Sequence, residues 1–247
     1  MKTSNKILLT VLILVLITFT AVQLTLSSKY KNGQYTTVNV NAGRDSVTIK
    51  PVRFIKLKGL DNVVIVPSYA YRLEIQKEMP SYFRYTVVGD TLIVTGDTSF
   101  PNERRRTYEE VSIHVPQMKL IQAENCTVNV TGKLDSVETG LMRFELIQSR
   151  MFFTNHYNQK NAQQYFGEVF IKAKQNSEID FGASTISFKT FACELESSTL
   201  RDNQFGKVDK FMVKASDSSS LQLTGSSLQR LNIVPKSERF LDTLTIP

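Results

Sequence analysis

The feature that most constrains the fold of this chain is an internal repeat. Residues 169–186, VFIKAKQNSEIDFGASTI, return 42 positions later as FMVKASDSSSLQLTGSSL. Lys172 matches Lys214, Ser177 matches Ser219, and the apolar slots keep their apolar character. A repeat that keeps its apolar slots at a fixed period is typical of folds built from stacked repeats.

Each copy has the pattern of two strands and a turn. Apolar residues fall on alternate positions in 169–173 and again in 179–181, which is the period of a strand with one buried face. Short polar residues at 175–177 lie between them and favour a turn. A more irregular copy at 191–202 divides the 42-residue repeat into coils of about 20 residues, too small to bury an apolar face alone. The pattern predicts an all-β parallel β-solenoid, or β-helix, with strands about 4.8 Å apart.

The alternation continues through the chain from Val52 onward. It predicts strands at 53–58, 63–66, 72–76, 83–88, 91–94, 111–115, 119–122, 127–130 and 143–147. Gly89-Asp90 is a turn signal that fits a hairpin or a tight coil corner. No segment beyond the amino terminus has a convincing helical pattern, so the fold class is all-β.

The amino terminus differs from the rest of the chain. Residues 7–26 carry no charge and would reach about 30 Å as a helix, the thickness of a bilayer core. We therefore predict a transmembrane anchor in residues 1–26, in contact with membrane lipid through 7–26. A cleaved signal peptide beginning at Lys2 and Lys6 is the alternative. A tether at 27–51 and a β-solenoid domain at 52–247 follow, with the domain facing the periplasm or the exterior.

The net charge of +7 is concentrated near the amino terminus, where residues 1–53 carry most of it. A basic segment beside an anchor fits contact with anionic lipid headgroups, whereas nucleic-acid binding needs a basic face on the folded domain. We expect no nucleic-acid partner. Two cysteines, Cys126 and Cys193, are too few for a disulfide scaffold, and buried single thiols are expected unless their coils bring them together.

No strong catalytic or cofactor motif is present, so we predict a protein that is not an enzyme and that has no cofactor and no metal site. His114 alternates with apolar residues and is expected to face solvent. An alternative is an enzyme acting on polysaccharides through two carboxylate pairs, each placed on one strand face. These pairs are Glu178 with Asp180 and Glu194 with Glu196.

One stretch, residues 148–167, lacks alternation and is rich in amides and aromatic residues. In a stacked-coil fold such a stretch is expected to be a loop on the binding face. Aromatic rings beside amides suit a surface that stacks on sugar rings and hydrogen-bonds their hydroxyl groups; the alternative is a loop whose rings fold back onto the core. The candidate binding residues are Phe152, Phe153, Asn155, Tyr157, Asn158 and Tyr165.

Several segments resemble a bacterial family of unknown function, the GIN-type domain, also called a "putative autotransporter adhesin head domain". They are Phe54-Ile55-Lys56-Leu57-Lys58-Gly59, Asp61-Asn62-Val63-Val64-Ile65, Gly89-Asp90-Thr91-Leu92-Ile93-Val94, Val111-Ser112-Ile113-His114-Val115-Pro116 and the serine-rich turn at 217–221. The resemblance covers about residues 52–233 and rests on spacing and strand pattern. It implies a right-handed parallel β-solenoid in an extracytoplasmic setting and supplies no catalytic or binding residues. Asn125-Cys126-Thr127 departs from the family's glycine-serine turns.

Together these features predict a membrane-tethered, extracytoplasmic protein with a binding or structural, adhesin-like role in the cell envelope. Its expected partner is a glycan or another envelope protein. Two alternatives remain, the polysaccharide-acting enzyme and an envelope signalling or assembly partner that depends on the anchor and on the basic residues Lys29, Lys31, Arg44, Lys50 and Arg53.

Overall fold

The chain divides into two compact units, Met1–Ala42 and Gly43–Pro247. The computed structural model describes residues 3–31, 44–76, 83–96, 111–116, 119–134, 140–155, 162–182, 185–202, 207–216, 218–223 and 231–233. The predicted boundaries of the tether and of the β-domain, at residues 27–51 and 52–247, stay predictions.

The first unit contains one helix, α1, at Thr3–Lys31. Large apolar side chains along its middle, from Val11 to Leu24, are exposed. Polar residues interrupt the apolar sequence after Ile17, and three of them satisfy their hydroxyl groups within the helix. Thr18 donates to the carbonyl of Leu14, Thr20 to that of Leu16 and Thr25 to that of Ala21, at 2.7, 2.8 and 2.7 Å.

The prediction of a transmembrane anchor is wrong. Across the described part of the chain, no helix combines the length and the apolar character that crossing a membrane requires. The dense apolar run, residues 7–17, extends only about 16 Å as a helix, about half of a bilayer's hydrocarbon core. The membrane-anchored location inferred from this segment is therefore wrong too, and lipid contact through residues 7–26 stays a prediction.

The second unit is mostly β. Its described residues form eighteen strands: β1 Arg44–Thr48, β2 Phe54–Lys58, β3 Val63–Pro67, β4 Arg72–Gln76, β5 Phe83–Val88, β6 Thr91–Gly96, β7 Val111–Val115, β8 Leu120–Glu124, β9 Thr127–Thr131, β10 Met142–Ile147, β11 Arg150–Thr154, β12 Gln164–Lys174, β13 Glu178–Phe181, β14 Ile186–Glu196, β15 Thr199–Arg201, β16 Lys207–Ala215, β17 Ser220–Gln222 and β18 Leu231–Ile233. The nine strands predicted before residue 148 are confirmed to within a few residues at their ends.

The strands form two mixed sheets of nine strands each. The first sheet has the order β1-β4-β7-β3-β9-β11-β13-β15-β17, and the second has the order β18-β16-β14-β12-β10-β8-β2-β6-β5. Pairs β1–β4, β4–β7 and β5–β6 are antiparallel, and the other pairs are parallel.

The prediction of a single right-handed parallel β-solenoid is therefore wrong. At Gly89-Asp90 the chain reverses through a hairpin, and it does not advance by one coil there. Strands β2 and β3 also pair with strands that come much later in the sequence. Alternating apolar residues specify which face of a strand is buried, but they do not specify the direction of its partner.

The repeated segments lie beside one another within these sheets. In the second sheet Ile171 pairs with Cys193, and Cys193 pairs with Val213. In the first sheet Ile179 pairs with Leu200, which in turn pairs with Leu221. The two copies that match in sequence are thus separated by the irregular copy, which fills the place between them in both sheets.

One hydrophobic core draws on both sheets. Its middle is a group of phenylalanine rings that meet mostly edge to face, the arrangement that aromatic quadrupoles prefer. Phe153 lies 5.2 Å from Phe166 and 5.0 Å from Phe188, measured between ring centroids. Phe181 and Phe191 are 4.9 Å apart. These rings occupy several of the apolar slots of β11–β14.

Hydroxyl groups line the turns that lead from the second sheet into the first, buried at Ser149, Ser177 and Ser198 and half-buried at Ser219. We call Ser149, Ser177, Ser198 and Ser219 the serine column. The amide of Ser149 donates to Oγ of Ser177 at 3.1 Å, and the amide of Ser198 donates to Oγ of Ser219 at 3.5 Å. Ser177 in turn donates to the carbonyl of Lys174 at 2.6 Å. The matched serines of the repeat therefore supply partners to backbone groups that water cannot reach.

Candidate functional site

The structure separates the candidate binding residues. Phe152 and Asn155 are half-buried at β11 and just after it, whereas Phe153 is fully buried in the core. Tyr165 is half-buried on β12 in the second sheet. Tyr157 and Asn158 lie outside the described residues. Of the described candidates, Phe152 is therefore the aromatic ring on the outward side of the first sheet, and the role of the set in binding stays a prediction.

Phe152 belongs to a row of side chains on the outer face of the first sheet. Its register partners follow one another across β9, β11, β13, β15 and β17, and we call the set the Phe152 row. Its members are Asn129, Phe152, Asp180, Arg201 and Gln222. The residues beside them in each strand, such as Ile179 and Leu200, are buried in the core, so alternation directs the row outward.

Charged residues beside the Phe152 row form ion pairs across the strands. Glu178 lies between two arginines, with its Oε2 3.5 Å from Nε of Arg150 and its Oε1 paired with Nη1 of Arg201. The Arg201 side chain is 40% exposed. Its Nε is nonetheless buried and makes no hydrogen bond to any described residue. Arg201 thus holds Glu178 through Nη1, while its Nε lies beneath the surface of the sheet.

Asp180 differs from Glu178 in its surroundings. Within the described segments, no ion pair or hydrogen bond holds its carboxylate. Burial raises the pKa of Asp180 above its ordinary value of 3.8, the negative charge of Glu178 raises it further, and Arg201 opposes both effects. The fold therefore places beside Phe152 a carboxylate whose charged form is disfavoured. Such perturbed carboxylates are typical of residues that bind a ligand.

A second cluster of charged residues lies on the same face, near the antiparallel strands. On β4, Oε1 of Glu74 lies 3.0 Å from Nη2 of Arg72. Oε2 of Glu74 lies 3.3 Å from Nε2 of His114 on β7. Arg44 approaches Glu74 at 4.0 Å and donates to Oγ of Ser112 at 3.0 Å. The prediction that His114 faces solvent is wrong, because these long side chains close over it and leave it 6% exposed. The network joins β1, β4 and β7 and has a structural role.

The two carboxylate pairs of the enzyme alternative do not meet. Glu178 and Asp180 lie on the first sheet, and Glu194 and Glu196 lie on β14 in the second sheet. Lysines hold both residues of the second pair: Glu194 is 3.5 Å from Lys172, and Glu196 is 3.5 Å from Lys174. The four acids thus form two separate surface groups, each in ion pairs or beside an arginine.

Both cysteines are buried, and no disulfide joins them. Cys193 occupies a core position of β14, where burial raises the pKa of its thiol. Cys126 occupies a turn at the position next to Ser149, with its amide donating to Oγ of Ser149 at 3.1 Å. A thiol with a raised pKa is a poor nucleophile. Among the residues described, no group of acidic, histidine or cysteine side chains has the arrangement of a metal site.

Sequence reasoning missed three members of the Phe152 row, Asn129, Arg201 and Gln222. A signal for one of them was present. The alignment of the irregular copy places Leu200 in the slot of Ile179, which puts Arg201 beside Asp180. Asn129 and Gln222 had no such signal, because a polar residue that faces outward on a strand is common in any sheet.

Comparison with known proteins gives matches only among solved structures. No protein-family model and no curated protein matches the chain. A "putative adhesin" from Parabacteroides distasonis is 9% identical, with a TM-score of 0.47, over 77% of this chain and 74% of that one. A "putative adhesin" from Bacteroides fragilis is 14% identical, with a TM-score of 0.35, over 77% of this chain and 96% of that one. A "putative lipid binding protein" from P. distasonis is 12% identical, with a TM-score of 0.29, over 79% and 98%.

None of these three names is that of an enzyme. Proteins described as adhesins are thus among the structural neighbours of the chain. Membership of the GIN-type family stays a prediction, because no family model matches.

Proposed function

We propose that this chain is a non-enzymatic binding protein that recognises carbohydrate through the Phe152 row. The observation that carries the proposal is the neighbourhood of Phe152 on an outward sheet face. Asn129 lies on one side of the ring and Asp180 on the other, one strand away in each direction. Binding sites for small ligands typically combine an apolar surface with a few well-placed polar groups.

The chemistry of these residues suits a sugar. The apolar face of a pyranose ring can pack on the Phe152 ring, which supplies hydrophobic area at little cost in side-chain entropy. A carboxylate such as Asp180 accepts hydrogen bonds from two hydroxyl groups at once. The Asn129 amide is held in place, since its Nδ2 donates to Oδ1 of Asn62 at 2.8 Å.

The proposal is tested with the full chain on a glycan array, followed by affinity measurements for the sugars that bind. We expect Phe152→Ala to weaken binding by about tenfold, which corresponds to about 1.4 kcal/mol. Phe54→Ala is the matched control, because Phe54 is also a half-buried outward phenylalanine but lies on the second sheet. Its affinity should equal that of the wild type.

Two results would count against the proposal. An array on which no glycan binds the full chain would remove it. Equal losses for Phe152→Ala and Phe54→Ala, with both variants folded by their thermal melting curves, would show that binding does not involve the Phe152 row.

A further inference from the structure

The outer face of the first sheet is long across the strands and narrow along them. Strand β13 has 4 residues and β15 has 3, which give lengths of about 13 and 10 Å at about 3.3 Å per residue. The five strands from β9 to β17 extend about 19 Å across, since neighbouring strands are about 4.8 Å apart. A ligand that uses the whole row must therefore run across the strands.

The Phe152 row offers one polar or aromatic group on each strand. Parallel pairing in constant register places these groups in line, so that each step along the row moves to a residue of different chemistry. The spacing between neighbouring strands is close to the length of one pyranose unit. The groups therefore follow one another at intervals that a linear sugar chain can match. Their order is an amide, an aromatic ring, a carboxylate, a guanidinium and a second amide.

The charges of this face indicate a ligand without net charge. The positive charges of Arg150 and Arg201 are balanced by the negative charges of Glu178 and Asp180, and Glu178 forms an ion pair with each arginine. An anionic polymer would meet two carboxylates, and a cationic one would meet two guanidinium groups. Hydroxyl groups, by contrast, can donate to Asp180 and accept from the exposed part of the Arg201 side chain, which is 40% exposed.

We propose that the Phe152 row binds a neutral linear oligosaccharide that lies across the strands, with about one sugar unit on each of five strands. Asp180 is the specificity-determining residue, because it accepts a pair of hydroxyl groups from the unit next to the one stacked on Phe152. This inference rests on the proposed function and narrows it from carbohydrate in general to an extended neutral chain.

The test is a titration of the full chain with malto-, cello- and xylo-oligosaccharides of increasing length, followed by calorimetry. In the series that binds, affinity should rise with each added unit and level off at about five units. Gln222→Ala should weaken binding of the long oligosaccharides and leave that of the disaccharide unchanged. Asn232→Ala is the matched control, as Asn232 is an exposed amide on β18 of the second sheet.

The outcomes separate this inference from the proposed function. A monosaccharide that binds as tightly as the longest oligosaccharide, with Phe152→Ala still weakening it, would overturn the extended ligand and keep the carbohydrate site. Tighter binding of sulfated than of neutral oligosaccharides would overturn the neutral ligand. Binding of a protein through Phe152, with no sugar bound, would overturn both.

Discussion

At the scale of single residues, Phe152 and Phe153 show how one step along a strand changes a residue's role. Phe153 is fully buried among aromatic rings, and Phe152 faces outward between Asn129 and Asp180. Asp180 is the unusual member of this group, because its charged form is disfavoured by burial and by Glu178. A carboxylate whose charged form is disfavoured and which lies beside an outward aromatic ring is a candidate for a role in binding.

Asp180→Asn should make the protein more stable at neutral pH and weaken its binding of sugar. The pKa of Asp180 is raised in the folded state, so the folded protein holds this proton more tightly than the unfolded chain does. The stability contributed by the protonated form is fully present below pH 3.8 and is lost as pH rises through the folded pKa. Urea denaturation at pH 7 and at pH 3 measures the difference between variant and wild type.

The variant's advantage should be present at pH 7 and absent at pH 3. Phe54→Ala, on the second sheet and away from Asp180, serves as the comparison and should keep the wild-type dependence on pH. A variant that is less stable than the wild type at pH 7 would show that the Asp180 carboxylate contributes favourable interactions to the fold.

Strand β11 alternates in burial, but its sequence does not show this pattern. Met151 and Phe153 point inward while Arg150, Phe152 and Thr154 point outward, so β11 alternates as a strand should. The pattern is hidden because both faces carry a phenylalanine. The stretch 148–167 was therefore predicted to be a loop, and that prediction is wrong for β11 and for the first residues of β12.

At the scale of elements, the serine column explains why the repeat keeps serine at its turns. Ser177 is 1% exposed and bonds both to the amide of the neighbouring turn and to a carbonyl in its own turn. The hydroxyls of Ser149, Ser177 and Ser219 therefore each link two successive turns. The turns also use left-handed backbone at Asn125, Gln148, Gln175, Asn176 and Ser197, which a tight corner between two strands requires.

Ser177→Ala should destabilise the fold by about 1–3 kcal/mol, the cost of leaving a buried backbone donor without its acceptor. The donor is the amide of Ser149, which is itself 1% exposed. Chemical denaturation of the full chain measures the free energy of unfolding. Ser220→Ala, at an exposed position of β17, is the control and should change stability by less than about 0.5 kcal/mol. Equal stability of both variants would show that water or another group replaces the hydroxyl.

The sequence predicts the strands better than their partners. Strands at 53–58, 63–66 and 111–115 were recognised because alternating apolar residues record burial locally. The antiparallel pairs β1–β4 and β4–β7 could not be recognised, since pairing between distant strands leaves no periodic signal in either one. The burial of His114 follows from the β4–β7 pair, as Arg72 and Glu74 of β4 lie against its ring.

At the scale of the whole molecule, the two ends of the sheets differ. Antiparallel strands stand at one end, with β1 at the edge of the first sheet and β5 at the edge of the second. At the other end, Leu221 and Leu231 are half-buried, whereas Leu200 and Phe211 one strand earlier are almost completely buried. Repeat folds have stabilities close to a sum over neighbouring units, so a unit with one neighbour is the weakest.

Hydrogen exchange should therefore be fastest at the end formed by β17 and β18 and slowest in β12 and β14. We expect the end strands to exchange through local opening and the central strands only through global unfolding. Mass spectrometry of exchanged peptides gives the protection of each strand. The thiol of Cys193 in β14 supplies an independent benchmark, because its burial should restrict labelling to globally unfolded molecules. Uniform protection from β12 to β18 would mean that the sheets unfold as one unit.

The strand order has a consequence for how the protein is made. After β8, each strand of the second sheet joins the edge left by the strand two elements earlier, and the first sheet grows in the same way after β9. A chain emerging from the ribosome therefore finds each new partner already synthesised and only a short distance away. Strands β2 and β3 can instead pair only after β6 to β9 have been synthesised. This pairing of distant strands is the slow step of assembly, and it should be complete before the repeats leave the exit tunnel.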